Sequence, residues 1–343
     1  MKIALIGLPQ SGKTVTFNAL CGGATGASHG KGAHVATIRV PDERLDKLTV
    51  LAQAAKTVYA EVEFQDGCGF PAQGKAIEEL RAAETLALVV DAFSGTRDPA
   101  VDVQAVVDEM IISDLAQIEH NVSKLAKAVQ SGGSRDRGRE LEILTRCQAQ
   151  LEAEKPLIEL GLDESELKEI RGYTFLSLKP LLIIINLDEE RVDRAAEVER
   201  EFAVWSQPGQ REVAALCAKV EMEIAEMEPE DRALFLADLG IQRPAVEVVI
   251  QKAYSLLGLI PFFTAGEMEA RAWTIRKGAV AQKAAGVIHS DIERGFIRAE
   301  VISYDDYVAT GGPVEAKKQG KLRLEGKEYI VADGDVINFR FNV

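Results

Sequence analysis

Residues 7–14 of the chain, with the sequence GLPQSGKT, fit the pattern GxxxxGK[ST]. In this pattern the backbone amides surround phosphate oxygens, the lysine reaches the terminal phosphates, and the last hydroxyl binds Mg²⁺. The apolar residues 3–6 predict a buried strand before the loop, and residues 14–20 predict a helix after it, whose positive end adds to the phosphate site. An ordinary glycine-rich turn is the weaker alternative. The sequence therefore predicts a P-loop in which Lys13 contacts the phosphates and Thr14 binds the metal ion.

The segment Asp66-Gly67-Cys68-Gly69 follows a predicted strand over residues 58–64. A P-loop protein needs an acidic residue at the end of a neighbouring strand to complete the shell of the metal ion. Taken alone, DxxG is an ordinary turn pattern, because aspartate and glycine are common turn residues. After a P-loop, it predicts that Asp66 reaches Mg²⁺ through water and that the Gly69 amide contacts the γ-phosphate.

The apolar run of residues 181–185 ends at Asn186-Leu187-Asp188-Glu189. GTP-binding switch proteins carry NKxD at this strand end, and its aspartate accepts two hydrogen bonds from guanine. Glu189 is one methylene longer, and a hydrogen bond to a charged group contributes about 1.5–3 kcal/mol, so we expect a weakened preference for guanine. Two alternatives stay open: Asp188 rotates into the role, or the segment is an ordinary turn. Spacing alone does not show whether adenine gains what guanine loses.

The elements that must hold these motifs are short apolar runs separated by helical segments. Further runs at residues 86–90 and 213–217 predict buried strands of a mostly parallel, doubly wound sheet. Apolar residues within 111–129 recur at spacings of four and three, which predicts one long helix. Residues 131–138 interrupt it, and a second helix ends near Pro156. The predicted fold is an α/β P-loop NTPase with an inserted antiparallel helical hairpin.

Two further segments suggest partners. Basic residues lie along the far part and tip of the hairpin, at Lys124, Lys127, Arg135, Arg137 and Arg139. This tip is either a solvated turn or an arm that contacts RNA or a ribosome. Near the end of the chain, residues 329–331 and 336–341 predict two strands. In the second strand a polar face alternates with an apolar face, the first comprising Val336, Asn338, Arg340 and Asn342 and the second Ile337, Phe339, Phe341 and Val343. A partner-binding β-grasp domain fits this pattern.

Composition limits the function classes. With 343 residues, the chain exceeds the roughly 250–300 residues of a single core, so more than one domain is expected. The predicted domains are 1–98 plus 180–256 for nucleotide binding, 99–179 for the hairpin and 257–343 for the β-grasp. The net charge of −14 argues against a nucleic-acid or anionic-membrane binder that uses its whole surface. The scattered cysteines suggest neither disulfides nor a zinc site, and no apolar stretch is long enough to span a bilayer. A cytoplasmic protein, expected to be a monomer, fits these features.

With these motifs the sequence resembles the Obg-like ATPase family, also called the YchF family. The resemblance covers essentially the whole chain. Its N-terminal part rests on the P-loop, on residues 17–20 (FNAL), 36–38 (ATI) and 41–45 (PDERL), and on the DxxG and NLDE segments. Its C-terminal part rests on residues 263–266 (FTAG), 271–275 (RAWTI), 289–291 (HSD), 295–299 (GFIRA) and 329–343, which resemble a terminal TGS-type domain, a ubiquitin-like β-grasp.

The resemblance implies Mg²⁺, a preference for ATP over GTP, hydrolysis to ADP, and association with ribosomal particles. It also implies that Thr37 is the switch threonine that closes on Mg²⁺ and the γ-phosphate. Asn186 and Glu189 would read the base, and Leu187 would pack against its face. The implied nucleotide contacts are Pro9, Gln10, Ser11, Gly12, Lys13, Thr14 and Val15 in the P-loop, with Cys217 and Ala218 behind the base.

The chain departs from the family pattern at two places. Gln10 replaces the usual asparagine, which puts activation by potassium in doubt, and the glycine-rich loop expected after Gly69 is short. Phe70, as in the family, stands where many switch GTPases carry the glutamine that orients the attacking water. We therefore expect slow turnover, with Lys13, Mg²⁺ and loop amides stabilising the phosphate charge and Gln73 as a less favoured substitute for the glutamine. Three functions compete: an ATP-hydrolysing switch, a GTPase, and a nucleotide-gated ribosome or stress adaptor with incidental hydrolysis.

Overall fold

The computed structural model describes residues 2–22, 34–67, 69–72, 74–130, 135–238, 241 and 243–342. The chain divides into two compact units. The first comprises Met1–Thr37 and Glu63–Leu256, and the second Ile38–Val62 and Leu257–Val343. The nucleotide-binding domain predicted from sequence includes residues 38–62, whereas in the structure these residues fold with the C-terminal residues. No helix in the described ranges is both long and apolar enough to cross a bilayer.

Strands and helices alternate through most of the chain. The strands are β1 (Lys2–Ile6), β2 (His34–Val40), β3 (Thr57–Val58), β4 (Ala60–Asp66), β5 (Thr85–Asp91), β6 (Leu181–Asn186), β7 (Arg211–Leu216), β8 (Leu259–Ala265), β9 (Ala270–Arg276), β10 (Phe296–Ile302), β11 (Arg323–Glu325) and β12 (Val336–Phe341). The α-helices are α1 (Lys13–Leu20), α2 (Glu43–Leu51), α3 (Lys75–Ala82), α4 (Pro99–Gln130), α5 (Arg135–Glu152), α6 (Glu164–Ile170), α7 (Ala195–Glu201), α8 (Ala218–Glu226), α9 (Pro229–Asp238), α10 (Ala245–Leu256), α11 (Ala281–Ile288), α12 (Ser290–Arg294), α13 (Tyr304–Thr310) and α14 (Pro313–Lys318). Short 3₁₀ helices cover Leu157–Leu160, Arg171–Tyr173, Glu189–Arg194 and Phe202–Trp205.

A six-stranded sheet in the order β2-β4-β1-β5-β6-β7 contains the predicted core strands. β1 pairs in parallel with β4 and β5, and β6 pairs in parallel with β5 and β7, which confirms the predicted parallel sheet. Both β5 and β6 are buried along their whole length, as expected for continuous apolar runs between helical layers. Because the registers align Asp66 with Leu5, and Asn186 with both Asp91 and Leu216, the polar residues at these strand ends meet at one edge of the sheet.

The predicted hairpin is formed by α4 and α5, which pack against each other. Ile118 on α4 and Leu144 on α5 are completely buried in the same apolar core. The predicted break at residues 131–138 is wrong in its second half, because α5 already begins at Arg135, while 131–134 lie outside the described residues. The helix extends back to Arg135 because charged residues without apolar periodicity can still continue a helix that packs farther along the chain.

A second sheet has the order β11-β10-β12-β8-β9-β3. Helix α11 covers one face, where Ala281 and Ala285 pack with Phe262 and Phe339 in one core cluster. The aromatic rings of Phe262 and Phe339 meet edge to face at 5.9 Å between centroids. Antiparallel β8–β9 and β10–β12 pairs flank the parallel β12–β8 contact. The predicted strand at 336–341 is therefore confirmed.

Three strand predictions need correction. The strand predicted at 58–64 is two strands, because β3 pairs with β9 in the second sheet and β4 with β1 in the first. Alternation alone could not show this change of sheet. Residues 329–331 form only an isolated bridge between Ile330 and Val280, not a strand. Phe341, assigned to the apolar face, is 46% exposed because the pairing with β10 shifts register near its end.

Candidate functional site

The loop between β1 and α1 has the backbone geometry of a tight phosphate-binding turn. Gly12 has φ +83°, a left-handed conformation that side chains rarely adopt, and a Cβ there would collide with the amide nitrogen of Asn186. Gln10 also has a positive φ of 68°, although it is not glycine. Asparagine, the residue expected at this position from the family resemblance, adopts such a φ more readily. Pro9 and Gln10 are exposed at the loop surface, whereas Ser11 is buried.

Lys13, Thr14 and Asp66 meet at the carboxyl edge of the first sheet. The ammonium group of Lys13 donates to Asp66 Oδ1 at 2.5 Å and to the carbonyl of Gly67 at 2.6 Å. The hydroxyl of Thr14 lies 3.5 Å from Asp66 Oδ2. The side chains of Lys13 and Asp66 are only 16% and 10% exposed. Their opposite charges therefore neutralise each other in surroundings with little water. The P-loop and the DxxG segment, which are distant in sequence, therefore lie side by side in the structure.

The oxygen atoms of this group fit a magnesium ion. A hydroxyl and one carboxylate are hard oxygen donors, and Mg²⁺ usually takes one or two protein carboxylates, with phosphates and water completing its shell. No cluster of three or more histidine, cysteine, aspartate or glutamate side chains suited to a metal ion occurs in the described ranges. Thr14 and Asp66 are therefore suited to a metal ion that is shared with a phosphate ligand rather than to a site built by protein alone.

The segment after Asp66 returns to the P-loop. The amide of Phe70 donates to the carbonyl of Gly7 at 3.1 Å, and the Phe70 ring is buried in the core of the first unit. Gly69 is exposed, and a side chain added there would meet no atom within 4 Å. Phe70 therefore directs no polar group toward the phosphate site. Gln73, predicted as a less favoured substitute for the glutamine, lies outside the described residues, as does Cys68 of the DxxG segment.

Asn186 connects the P-loop with the segment after β7. Its side-chain nitrogen donates to the carbonyl of Ser11 at 3.2 Å, and its side-chain oxygen accepts from the amide of Ala218 at 3.0 Å. The side chain is 5% exposed, so both halves of the amide are used within the protein. Asn186 thus fixes the loops around the site. Ala218 and Cys217 are also buried beside it.

The two acidic residues after Asn186 have different partners. Glu189 is exposed and forms an ion pair with Lys219. Desolvation raises the pKa of Asp188, but the hydrogen bond and positive charge of Arg191 outweigh it, so this pKa lies below its ordinary value. Arg191 donates from Nε to Asp188 Oδ2 at 2.7 Å and from Nη2 to the carbonyl of Ala92. Asp188 is thus held by an arginine rather than free to turn toward a base.

Phe93 is a residue of this site that the motifs did not reveal. Its ring is 40% exposed and lies 3.5 Å from where a Cβ of Gly12 would stand, next to the P-loop. Asp91, at the end of β5, fixes this loop because its Oδ1 accepts from the amides of Phe93 and Ser94 at 3.1 and 3.0 Å. A usable signal was an aromatic residue two positions after a strand end at the edge where the other motifs meet.

Three predicted nucleotide or metal contacts do not join the group formed by Lys13, Thr14 and Asp66. Leu187, expected against the face of a base, is 2% exposed and belongs to the apolar core. Val15 is 42% exposed on α1. Thr37 is exposed on β2, and no hydrogen bond found within the described ranges joins it to Lys13, Thr14 or Asp66.

Comparisons with known proteins agree over the full length. A family model described as YchF-GTPase_C, a protein of unknown function (DUF933), matches residues 259–342. The chain is 40% identical to the "Ribosome-binding ATPase YchF" of Bacillus subtilis, covering 99% of this chain and 98% of that protein. It is 36% identical to the protein of the same name from Escherichia coli O157:H7, covering 100% and 99%. A solved structure described as the Schizosaccharomyces pombe YchF GTPase is 26% identical with a TM-score of 0.86, covering 99% of this chain and 97% of that one.

Proposed function

Since this chain belongs to the YchF family, we propose that it is a Mg²⁺-dependent switch that hydrolyses ATP in preference to GTP and acts with ribosomes. The observation that carries the proposal is the convergence of Lys13, Thr14 and Asp66 at one edge of a parallel sheet. This is the place at which α/β sheets bind ligands, beyond the carboxyl ends of the strands. A positive side chain, a hydroxyl and a carboxylate there match the needs of a triphosphate with its metal ion.

The preference for ATP is supported by the partners of the two carboxylates. Guanine offers two donors from N1 and N2, which require an unoccupied carboxylate acceptor. Glu189 is paired with Lys219, Asp188 Oδ2 accepts from Arg191, and Asp188 Oδ1 is buried, so guanine would have to compete with these arginine and lysine contacts. The ring of Phe93 can stack on either purine, because stacking does not depend on the edge of the base. The occupied carboxylates therefore weaken the binding of adenine less than the binding of guanine.

The chain's own residues support slow hydrolysis. Lys13, once released from Asp66, balances negative charge on the phosphates, and the loop amides donate to phosphate oxygens. Thr14 and Asp66 would hold Mg²⁺, with Thr37 as the further ligand that the family resemblance implies, and the bound ion would neutralise further phosphate charge. Phe70 is buried and cannot orient a water molecule. Gly69, which is unobstructed, is the proposed amide donor to the terminal phosphate.

The proposed ribosome partner rests on the names of the bacterial relatives. The hairpin offers a surface of the right charge, because Lys124, Lys127, Arg137 and Arg139 are exposed near its tip. Basic side chains attract the phosphates of ribosomal RNA even when the whole protein is acidic.

Turnover of ATP measured with and without ribosomes, on the wild type and on Lys13→Ala, tests this proposal. We expect slow hydrolysis that ribosomes increase, and loss of hydrolysis in Lys13→Ala. An adaptor with incidental hydrolysis would instead show no change in turnover on ribosomes, while both proteins bind the particles equally well with and without nucleotide. A GTPase would turn over GTP faster than ATP under the same conditions.

A further inference from the structure

The second sheet is incomplete beside β12. β12 pairs with β10 along its whole length, but with β8 only at Val336 and Phe263. The carbonyl of Asp335 accepts from the amide of Phe263 at 2.8 Å, and on the opposite side the amide of Asn342 donates to the carbonyl of Gly295 at 2.9 Å. Successive peptide groups of a strand alternate in direction, so odd-numbered residues of β12 direct their N–H and C=O groups toward β8.

These odd-numbered groups have an open side. After Val336, no strand in the described ranges pairs with β12 on the side of β8. β8 ends at Ala265 and turns through residues 266–269 into β9, away from this ladder. The amides and carbonyls of Phe339 and Phe341 therefore form a short free edge within the sheet. We call the space between residues 337–341 and the turn 265–269 the strand gap.

The strand gap opens into a cavity of about 620 Å³ that lies within the second unit. Its lining is apolar on both faces of the sheet, with Ile288 and Ile292 on one face and Ile302 and Tyr307 on the other. At the mouth, Met268 is 82% exposed. Large apolar side chains around a concave surface are typical of a binding site, because an apolar segment that binds there is removed from water.

The charge of the lining selects the type of ligand. Glu267, Glu269 and Glu300 line the cavity, and no lysine, arginine or histidine does so. Glu300 is held by Arg340 at 3.0 Å, and Glu269 lies 3.6 Å from Arg271. The Glu267 carboxylate is exposed and has no ion pair within the described ranges, so it is available to a positive group. A polyanion such as RNA would meet carboxylates here instead of cations.

We propose that the strand gap binds an extended peptide segment of a partner protein, apolar in its centre and basic at its flanks. The segment adds a strand to β12, with main-chain hydrogen bonds to Phe339 and Phe341. Alternate side chains of a strand point to opposite faces, so an apolar centre fills both sides of the cavity. A basic flank pairs with Glu267 at the turn. This site is independent of the P-loop.

The first test uses fluorescence anisotropy with the full chain and a labelled peptide that has a Val-Ile-Val centre and lysine flanks. We expect saturable binding that weakens with salt, and unchanged binding to Lys13→Ala, because the site does not involve the nucleotide. A matched peptide with glutamate flanks should bind about three- to tenfold more weakly, since the contact with Glu267 reverses sign. Absence of binding, or equal binding of both peptides, overturns the proposal. Displacement of the peptide by a single-stranded oligonucleotide would point to nucleic acid and overturn it as well.

Matched variants separate the backbone contact from the side chains. Phe341→Pro and Phe341→Ala both remove the ring, but only proline removes the N–H that faces the gap. We expect the proline variant to bind the lysine-flanked peptide about three- to tenfold more weakly than the alanine variant. Equal affinities would contradict strand addition. Glu267→Lys should weaken binding, whereas Glu328→Lys, an exposed residue of the same unit outside the lining, should not. Thermal unfolding of each variant confirms that it is folded.

Discussion

Lys13 and Asp66 are bound to each other, so under the proposed function they would control access to the phosphate site. In the structure the lysine ammonium is bound by the carboxylate and by the carbonyl of Gly67. A triphosphate needs the ammonium group, and Mg²⁺ needs the carboxylate. Binding of nucleotide with its metal ion therefore replaces one ion pair by two separate interactions. The pair would thus oppose nucleotide binding, and in the structure it keeps the two charges neutral.

The first prediction concerns Asp66→Asn. Without Mg²⁺, this variant should bind ATP about fivefold or more tightly than the wild type, because a negative charge beside the phosphates is removed and Lys13 is freed. With Mg²⁺, its hydrolysis should fall, because a neutral amide is a poor ligand for the ion. Titration calorimetry in EDTA and in Mg²⁺ measures both effects. Equal affinities in EDTA would show that the ion pair does not oppose binding.

The second prediction concerns Phe93. Stacking of a base on an aromatic ring contributes about 1–3 kcal/mol, so Phe93→Ala should weaken ATP and GTP alike by about five- to hundredfold. Tripolyphosphate, which has no base, should bind the variant as well as the wild type. Val204→Ala, an 86% exposed apolar residue elsewhere in the same unit, serves as the control. A loss of tripolyphosphate binding would assign Phe93 to the structure of the P-loop instead.

Short-range patterns selected polar residues that the structure brings together at one edge of the sheet. Lys13, Thr14, Asp66 and Asn186 come together because each motif requires a residue type at a strand end, and the ends of parallel strands share one edge. Phe93 was missed because its place depends on the turn made by Asp91, which no spacing rule contains.

Among the elements, the loops after β5 and β6 are joined by one side chain. Arg191 bonds both to the carboxylate of Asp188 and to the carbonyl of Ala92, and the amide of Ala92 donates to the carbonyl of Asn186 at 3.0 Å. The loop that carries Phe93 is thereby held against the strand end that carries the base motif. Arg191 acts as a positioning residue through these two loops.

The third prediction follows from this bridge. Arg191→Ala should lower the ratio of ATP to GTP affinity by about three- to tenfold, because Asp188 becomes free to accept from guanine. Arg191→Lys should restore the ratio only in part, since one ammonium does not match the fork of a guanidinium. Arg194→Ala, in the same 3₁₀ segment, should leave the ratio unchanged. Fluorescent ATP and GTP analogues measure the ratio, and a uniform loss for both bases would contradict the assigned role.

Strands were predicted correctly from sequence where all residues of an apolar run join the same sheet. β5, β6 and α4 were found from apolar runs and periodicity. The strand predicted at 58–64 was right for residues 60–64 and wrong at Val58, which pairs in the other sheet, because alternation does not tell whether neighbouring residues join the same sheet. The change of sheet at Tyr59 depends on distant partners, namely β9 for the first part and β1 for the second.

At the scale of the whole molecule, the partly buried Lys179 links stability to pH. The ammonium group of Lys179 donates to the carbonyls of Arg81 and Ala83, at 2.9 and 2.5 Å. Burial, the largest cause, lowers the pKa of Lys179 to about 8 from 10.5. Between these two values the unfolded chain holds a proton that the folded chain has released, so this group adds stability as the pH rises.

The fourth prediction uses this difference. From pH 8 to 10, the free energy of unfolding of the wild type should rise relative to Lys179→Met by up to about 1.4 kcal/mol per pH unit, the value for one full proton. Urea unfolding at several pH values measures it, and subtracting the variant removes the effects of other groups. Parallel pH profiles of the two proteins would show that Lys179 keeps its ordinary pKa when folded.

The net charge of −14 is compatible with the proposed ribosome partner because charge is distributed unevenly along the chain. Length and composition predicted several domains, and the structure has two compact units. The composition could not show that residues 38–62 fold with the C-terminal residues, because that assignment arises from the pairing of Thr57 and Val58 with β9. Such long-range pairing leaves no mark on local periodicity.

The most direct test of an ATP-binding switch built on this P-loop is titration calorimetry of ATP and GTP with Mg²⁺ on the wild-type protein and on Lys13→Ala. ATP should bind the wild type at least about tenfold more tightly than GTP, and Lys13→Ala should lose most of its affinity for both. A tenfold preference for GTP, or equal binding of ATP to Lys13→Ala and the wild type, would contradict an ATP-binding switch built on this P-loop.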